Sequence, residues 1–238
     1  MRDFFDYRSP YRTENWIALS RLEFILPILL IIALVILIYS YRNVFKNNEV
    51  LDKRVRWYGG LVFTIIYGSH YVLRFLLYGF DTIVLPFQLC SISMFLAIIL
   101  LFTKNKTVYT FVLYAGVLGG IISLATPIIG YDSGYYRYYQ FYIAHGLLIS
   151  TPLYFMFVHD YFPSKKDVIN AFWILQGLIV FMGIFNVVFG TDFMFVFLDP
   201  SKIDKFPVIR YFGGIPWYII PGEIAVFVAF YSMYKITE

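Results

Sequence analysis

Residues 22–41 read LEFILPILLIIALVILIYSY, twenty residues with one charged side chain, Glu23, at the leading edge. A helix of that length rises about 30 Å, the thickness of the hydrocarbon core of a bilayer. Windows of similar character recur at 57–78, 83–102, 109–128, 138–159, 168–190 and 216–234. The chain has 238 residues, 60% hydrophobic and only 14% charged, with a mean hydropathy of +0.71. Soluble domains carry about 25% charged residues, so the expectation is an all-α polytopic membrane protein, a bundle of seven transmembrane helices. The 22 Tyr and 26 Phe suit aromatic belts at both interfaces.

Outside the windows, residues 1–21 form a polar or amphipathic N-terminal segment ahead of a single transmembrane domain at 22–238. Arg2, Asp3, Asp6, Arg8, Arg12 and Glu14 make it too charged for the apolar core of a cleavable signal peptide. Trp16, Ile17 and Leu19 fit an interfacial segment or a loose tail. The connections are short except at 191–215, where Asp192, Asp199, Lys202, Asp204, Lys205 and Arg210 make a charged loop fit to cap one face.

The net charge of +4 lies mostly in loops and speaks to orientation, not to nucleic acid. Arg42, Lys46, Lys53, Arg54, Arg56, Lys104, Lys106, Lys165, Lys166 and Lys235 fall on one side; Arg2, Arg8, Arg12, Arg21, Arg137, Lys202, Lys205 and Arg210 fall on the other. The short loops are the more lopsided, which favours an outside N-terminus and a cytoplasmic C-terminus. With that polarity His70, Arg74, Gln88, Cys90, Ser93, Ser123, Thr126, His145, Asn186 and Glu223 all fall in the outer half of the bilayer. Polar side chains are costly in hydrocarbon, and their sorting into one half points to a polar cavity.

Cys90 is the only thiol, so it has no intramolecular disulfide partner. Its readings are nucleophile or small apolar filler, and His145 at similar depth is either its general base or a helix-tying group. His70 and Arg74 share a face at i, i+4. Arg74 either grips a phosphate, snorkels to the interface or neutralises Glu223, while His70 is a second base or orients the first. Gln88 and Asn186 either offer amide N–H groups to an oxyanion or tie helices together. Glu223 follows Pro216 and Pro221 and needs a partner, Arg74 or a histidine. No lysine lies in the seventh window to carry a retinal Schiff base, and neither paired carboxylates nor an H-x-x-x-H pattern suggests a metal; no cofactor is expected. Gly59-Gly60 and Gly119-Gly120 suit close helix packing.

Leu-Pro-Phe-Gln-Leu-Cys at 85–90, residues 116–127 ending Ser-Leu-Ala-Thr-Pro, and Phe-Tyr-Ile-Ala-His-Gly at 141–146 resemble YwaF-type bacterial integral membrane proteins. So do Asn-Val-Val-Phe-Gly-Thr-Asp at 186–192 with Phe-Met-Phe following, and Ile-Pro-Trp-Tyr at 215–218. Such proteins are similar to a mammalian transmembrane acyltransferase that moves polyunsaturated chains onto ether lysophospholipids, and more distantly to androgen-induced membrane hydrolases of fatty acid esters. The resemblance implies Cys90 as nucleophile and His145 as base. The chain departs from the family pattern at Asp192-Phe193, where Asn-Tyr is usual.

The expected function is therefore a plasma-membrane phospholipid acyltransferase working through an acyl-thioester on Cys90, with phospholipids and lysophospholipids as partners. The alternatives are a lipid ester hydrolase, a non-catalytic lipid- or solute-binding protein or transporter subunit, and a structural membrane protein.

Overall fold

The computed structural model describes residues 4–6, 19–80, 82, 85–127, 129–196 and 217–237, and every regular element among them is helical. The order is α1 (Arg21–Ser40), α2 (Arg42–Lys46), α3 (Glu49–Tyr78), α4 (Leu89–Thr103), α5 (Lys106–Phe111), a π turn (Val112–Gly116), α6 (Val117–Ala125), α7 (Tyr136–His159), α8 (Lys165–Phe189), a 3-10 turn (Phe193–Phe195) and α9 (Ile219–Thr237). Most of the expected N-terminal segment, and the 191–215 loop beyond 196, lie outside the described residues.

Among the described residues six helices are long and apolar enough to cross a membrane: α1, α3, α5 running through the π turn into α6, α7, α8 and α9. The third expected window, 83–102, yields only α4, of 15 residues. That length rises about 22 Å, short of the roughly 30 Å of hydrocarbon. The shortening follows from Pro86, which lacks a donor N–H and disfavours helical backbone at Leu85 before it. α3 departs in the other direction. It starts at Glu49, capped by the Asn48 side chain on Leu51 N at 3.0 Å, and so draws Asp52 and Arg56 into the bundle.

α1 opens with a capping box in which Ser20 Oγ accepts from Glu23 N and Glu23 Oε2 accepts from Ser20 N. Its charge is further fixed, since Glu23 Oε1 accepts from Ser133 N at 2.8 Å and the Glu23 carbonyl accepts from Tyr138 Oη at 2.6 Å. This ties the start of α1 to the start of α7. α7 is the hub, packed by α1, α2, α3, α4, α6 and the π turn. Tyr114, Leu148, Phe155 and Phe230 are wholly buried around it, whereas α1 buries no residue and faces lipid.

Hydrocarbon outside removes much of the hydrophobic drive for association, so close packing at small residues matters. A Cβ on Gly60 would come within 2.6 Å of the Phe102 ring, and one on Gly120 within 2.9 Å of Ile149. Gly59 differs: nothing lies within 4 Å of a Cβ built there.

Candidate functional site

The site grows from the start of α4. Gln88 takes the N-cap position with extended backbone (φ −70°, ψ 146°) and provides no side-chain cap. Among the described residues the first-turn N–H groups of α4 therefore have neither an intrahelical acceptor nor a cap from Gln88, and a helix N-terminus favours negative charge. Cys90 is the second residue of that turn. Its Sγ lies 3.3 Å from Ser123 Oγ of α6, and a Cβ on Gly119 would lie 3.3 Å from the same sulfur. The small residues of α6 form the seat of the thiol.

His145 lies one turn before Ile149 on α7, and Leu148 and Ile149 pack on Gly120, one residue from the seat of Cys90. Cys90 and His145 thus flank α6 within about one helical turn of one level, and no hydrogen bond joins them. His145 is 6% exposed, its ring 4.2 Å from that of Phe141. Its Nδ1 is 2.8 Å from the Phe141 carbonyl. A carbonyl only accepts, so Nδ1 carries the proton, and in the neutral ring Nε2 keeps the lone pair a general base needs.

The two amides serve as ties. Asn186, 3% exposed, donates through Nδ2 to the carbonyls of Phe193 (2.9 Å) and Val196 (2.7 Å), and its Oδ1 accepts from Thr191 Oγ1 (2.8 Å) and Phe193 N (3.0 Å). Both Nδ2 protons are committed, so it has none for an oxyanion. The reversal at Gly190 (φ 65°) brings the chain back under Asn186. Gln88 Oε1 accepts from Met194 N at 3.0 Å, which fastens the same turn to the start of α4.

On α3, Tyr67 Oη donates to the Ser91 carbonyl at 2.9 Å and Tyr71 Oη donates to Ser91 Oγ at 3.1 Å, which sets this stretch beside Cys90. The His70 ring lies 4.9 Å from that of Tyr71. Arg74, one turn further and partly buried, makes no hydrogen bond or ion pair among the described residues. The expected pairing of Arg74 or a histidine with Glu223 is not formed. Glu223 accepts from Gln176 Nε2 in the middle of α8. Gln176 is ten residues before Asn186, about 15 Å along the axis, so Glu223 sits deeper than the Cys90 layer. α9 begins only at Ile219, and this slides its first turns down α8.

The TMEM164 family model matches residues 13–234. The chain belongs to the TMEM164 family, a family of membrane proteins. No curated protein matches the chain, and no solved structure does.

This TMEM164 family member also holds a polar cluster that sequence reading missed, at the opposite end of α4. Asp52, 4% exposed, accepts through Oδ1 from Tyr154 Oη (2.9 Å) and His159 Nε2 (2.9 Å). Its Oδ2 takes Arg56 Nε at 3.1 Å and faces Lys104 Nζ at 3.4 Å. Arg56 Nη1 donates to the Leu101 carbonyl at 2.9 Å. The end of α4 away from Cys90 therefore contains a buried, paired set of ionisable groups. The i, i+4 spacing of Asp52 and Arg56 was the available signal. Among the described residues no group of three or more His, Cys, Asp or Glu side chains is placed to hold a metal ion.

Proposed function

We propose that this TMEM164 family member transfers acyl chains between membrane lipids through a thioester on Cys90. The observation that supports this reading is the setting of the thiol: it lies on the first turn of α4, where Gln88 at the N-cap makes no side-chain cap, and across α6 from it stands His145, held by the Phe141 carbonyl in the base tautomer. His145 Nε2 takes the Sγ proton, directly or through one water, and the thiolate attacks the ester carbonyl of a donor phospholipid. The oxyanion is met by first-turn N–H groups of α4, taking the role the sequence had offered to Gln88 and Asn186. Collapse of the tetrahedral adduct breaks the ester C–O bond, and the protonated His145 gives its proton to the leaving lysolipid oxygen. A lysolipid hydroxyl then attacks the thioester, losing its proton to His145 and restoring the thiol; water in that position makes the protein a hydrolase. Arg74, which makes no ion pair among the described residues, holds the phosphate, and His70, one turn before it on α3, serves as a second base or an orienting group.

In this reading α4 and the residues before it complete a seventh span, and the Cys90 layer faces the outer leaflet of the plasma membrane, as the loop cations suggest. The test is phospholipid turnover in proteoliposomes. Lysolipid release by the wild type, lost in Cys90→Ala and reduced at least about 100-fold in His145→Ala, supports acyl transfer. Equal release by Cys90→Ala rejects it. A second reading, a lipid-binding protein without chemistry, draws on the Cys90–Ser123 contact and the absence of a Cys90–His145 hydrogen bond; it calls for lipid binding that Cys90→Ala leaves intact, with no turnover.

A further inference from the structure

The turn that follows α8 is strained. Met194 and Phe195 both have left-handed backbone, with φ of 55° and 57°. Large side chains crowd the neighbouring carbonyl in that conformation, which persists only where the surroundings hold it. The holds on this turn are unequal. Asn186 of α8 shares four hydrogen bonds with it. The start of α4 supplies one, from Met194 N to Gln88 Oε1, and the approach to α9 supplies one, from Tyr218 Oη to the Phe195 carbonyl. Phe193 is buried, its ring 5.5 Å from that of Phe87, which also meets the Phe185 ring of α8 at 5.0 Å. α8 otherwise packs on α5, the π turn and α9, and it reaches the start of α4 through this turn and the Phe87 ring.

We propose that the turn at 191–196 is a gate between α4 and α8, hinged on Asn186 and latched on Gln88 and Tyr218, whose lifting admits a membrane lipid to Cys90. The left-handed residues favour lifting, and the two latch bonds with the Phe193 contact oppose it, so the gate is poised between open and closed. Lifting draws Phe193 away from Phe87 and frees the start of α4 from α8, two residues ahead of the thiol. Cys90 is only partly exposed in the closed arrangement, whereas a lipid ester must come within bonding distance of its sulfur. A gate that opens for substrate and then closes also keeps water from a thioester. The identity of the guest rests on the acyl-transfer reading; the gate itself is read from access to the thiol.

The test is the rate at which N-ethylmaleimide alkylates Cys90 in the whole chain in phospholipid nanodiscs, followed by intact mass with Cys90→Ala as the blank. Gln88→Ala and Tyr218→Phe each remove one latch bond and are expected to speed alkylation about 5-fold. Phe195→Gly takes away a half-exposed ring, keeps the carbonyl that Tyr218 binds, and relieves the left-handed strain, since glycine accepts positive φ. It is expected to slow alkylation about 5-fold. Opposite signs separate a gate from general loosening, which only speeds alkylation. Rates equal to wild type in all three variants, or acceleration by Phe195→Gly, overturn the proposal. Alkylation reports the gate whether or not lipid turns over, so its failure and that of acyl transfer are told apart.

Discussion

The thiol of Cys90 sits 3.3 Å from the hydroxyl of Ser123, across the seam where α4 meets α6. This contact holds the sulfur over the small residues of α6 and leaves the first turn of α4 open above it. Ser123→Ala removes one partly buried hydrogen bond, so stability falls by no more than about 1.5 kcal/mol. The thiol loses its fixed seat, and phospholipid turnover falls several-fold with expression and thermal unfolding near wild type. Paired turnover and unfolding measurements check both halves.

Asn186→Ala strips a buried turn of four hydrogen bonds, to Thr191, Phe193 and Val196. It is expected to destabilise by about 2–4 kcal/mol, whereas Gln88→Ala, which loses one bond to Met194, costs about 1 kcal/mol. Thermal unfolding in detergent ranks the two. A larger effect at Gln88 contradicts the assignment of Asn186 as the anchor.

Removing Asp52 alone leaves Arg56 buried without its counter-ion, so Asp52→Ala is expected to cost about 3–5 kcal/mol. Replacing both partners by apolar residues, Asp52→Leu with Arg56→Met, removes the stranded charge and recovers much of that loss. Unfolding of the two single variants and the double variant gives the coupling. Additive losses would show that the pair is not the reason for the burial.

Adjacent glycines on α3 are expected to behave oppositely. Gly60→Leu drives a side chain into the Phe102 ring and separates α3 from α4, lowering the unfolding temperature by several degrees. Gly59→Leu enters open space and is neutral or stabilising, because leucine favours helix over glycine by close to 1 kcal/mol. Comparison of the two melting curves tests the packing at this seam.

Hydropathy located the six long helices among the described residues because bilayer thickness fixes the length of an apolar run, and it brought Gln88, Cys90 and Ser123 to one end of the bundle. It also expected a full span where only the 15-residue α4 forms. It failed where charge is buried by pairing. Asp52 and Arg56 depress the hydropathy of the first turns of α3, so the window opened at 57 and their ion pair was lost. The role of Asn186 rests on a chain reversal at Gly190 that returns backbone groups to its amide, a contact made by tertiary geometry. The partner of Glu223 was not legible, because it depends on how α9, starting at Ile219, lies along α8 and so pairs Glu223 with Gln176. The relation of Cys90 to His145 depends on how α4 and α7 rotate about α6, which no residue pattern encodes.

The most direct measurement is the intact mass of purified protein after incubation with mixed phospholipids, wild type beside Cys90→Ala. Acyl transfer through Cys90 predicts a hydroxylamine-sensitive mass increase of one acyl chain in the wild type only, with lysolipid appearing in step. An unmodified wild type that is folded, with no lipid turnover, or an adduct of equal amount on Cys90→Ala, would contradict it.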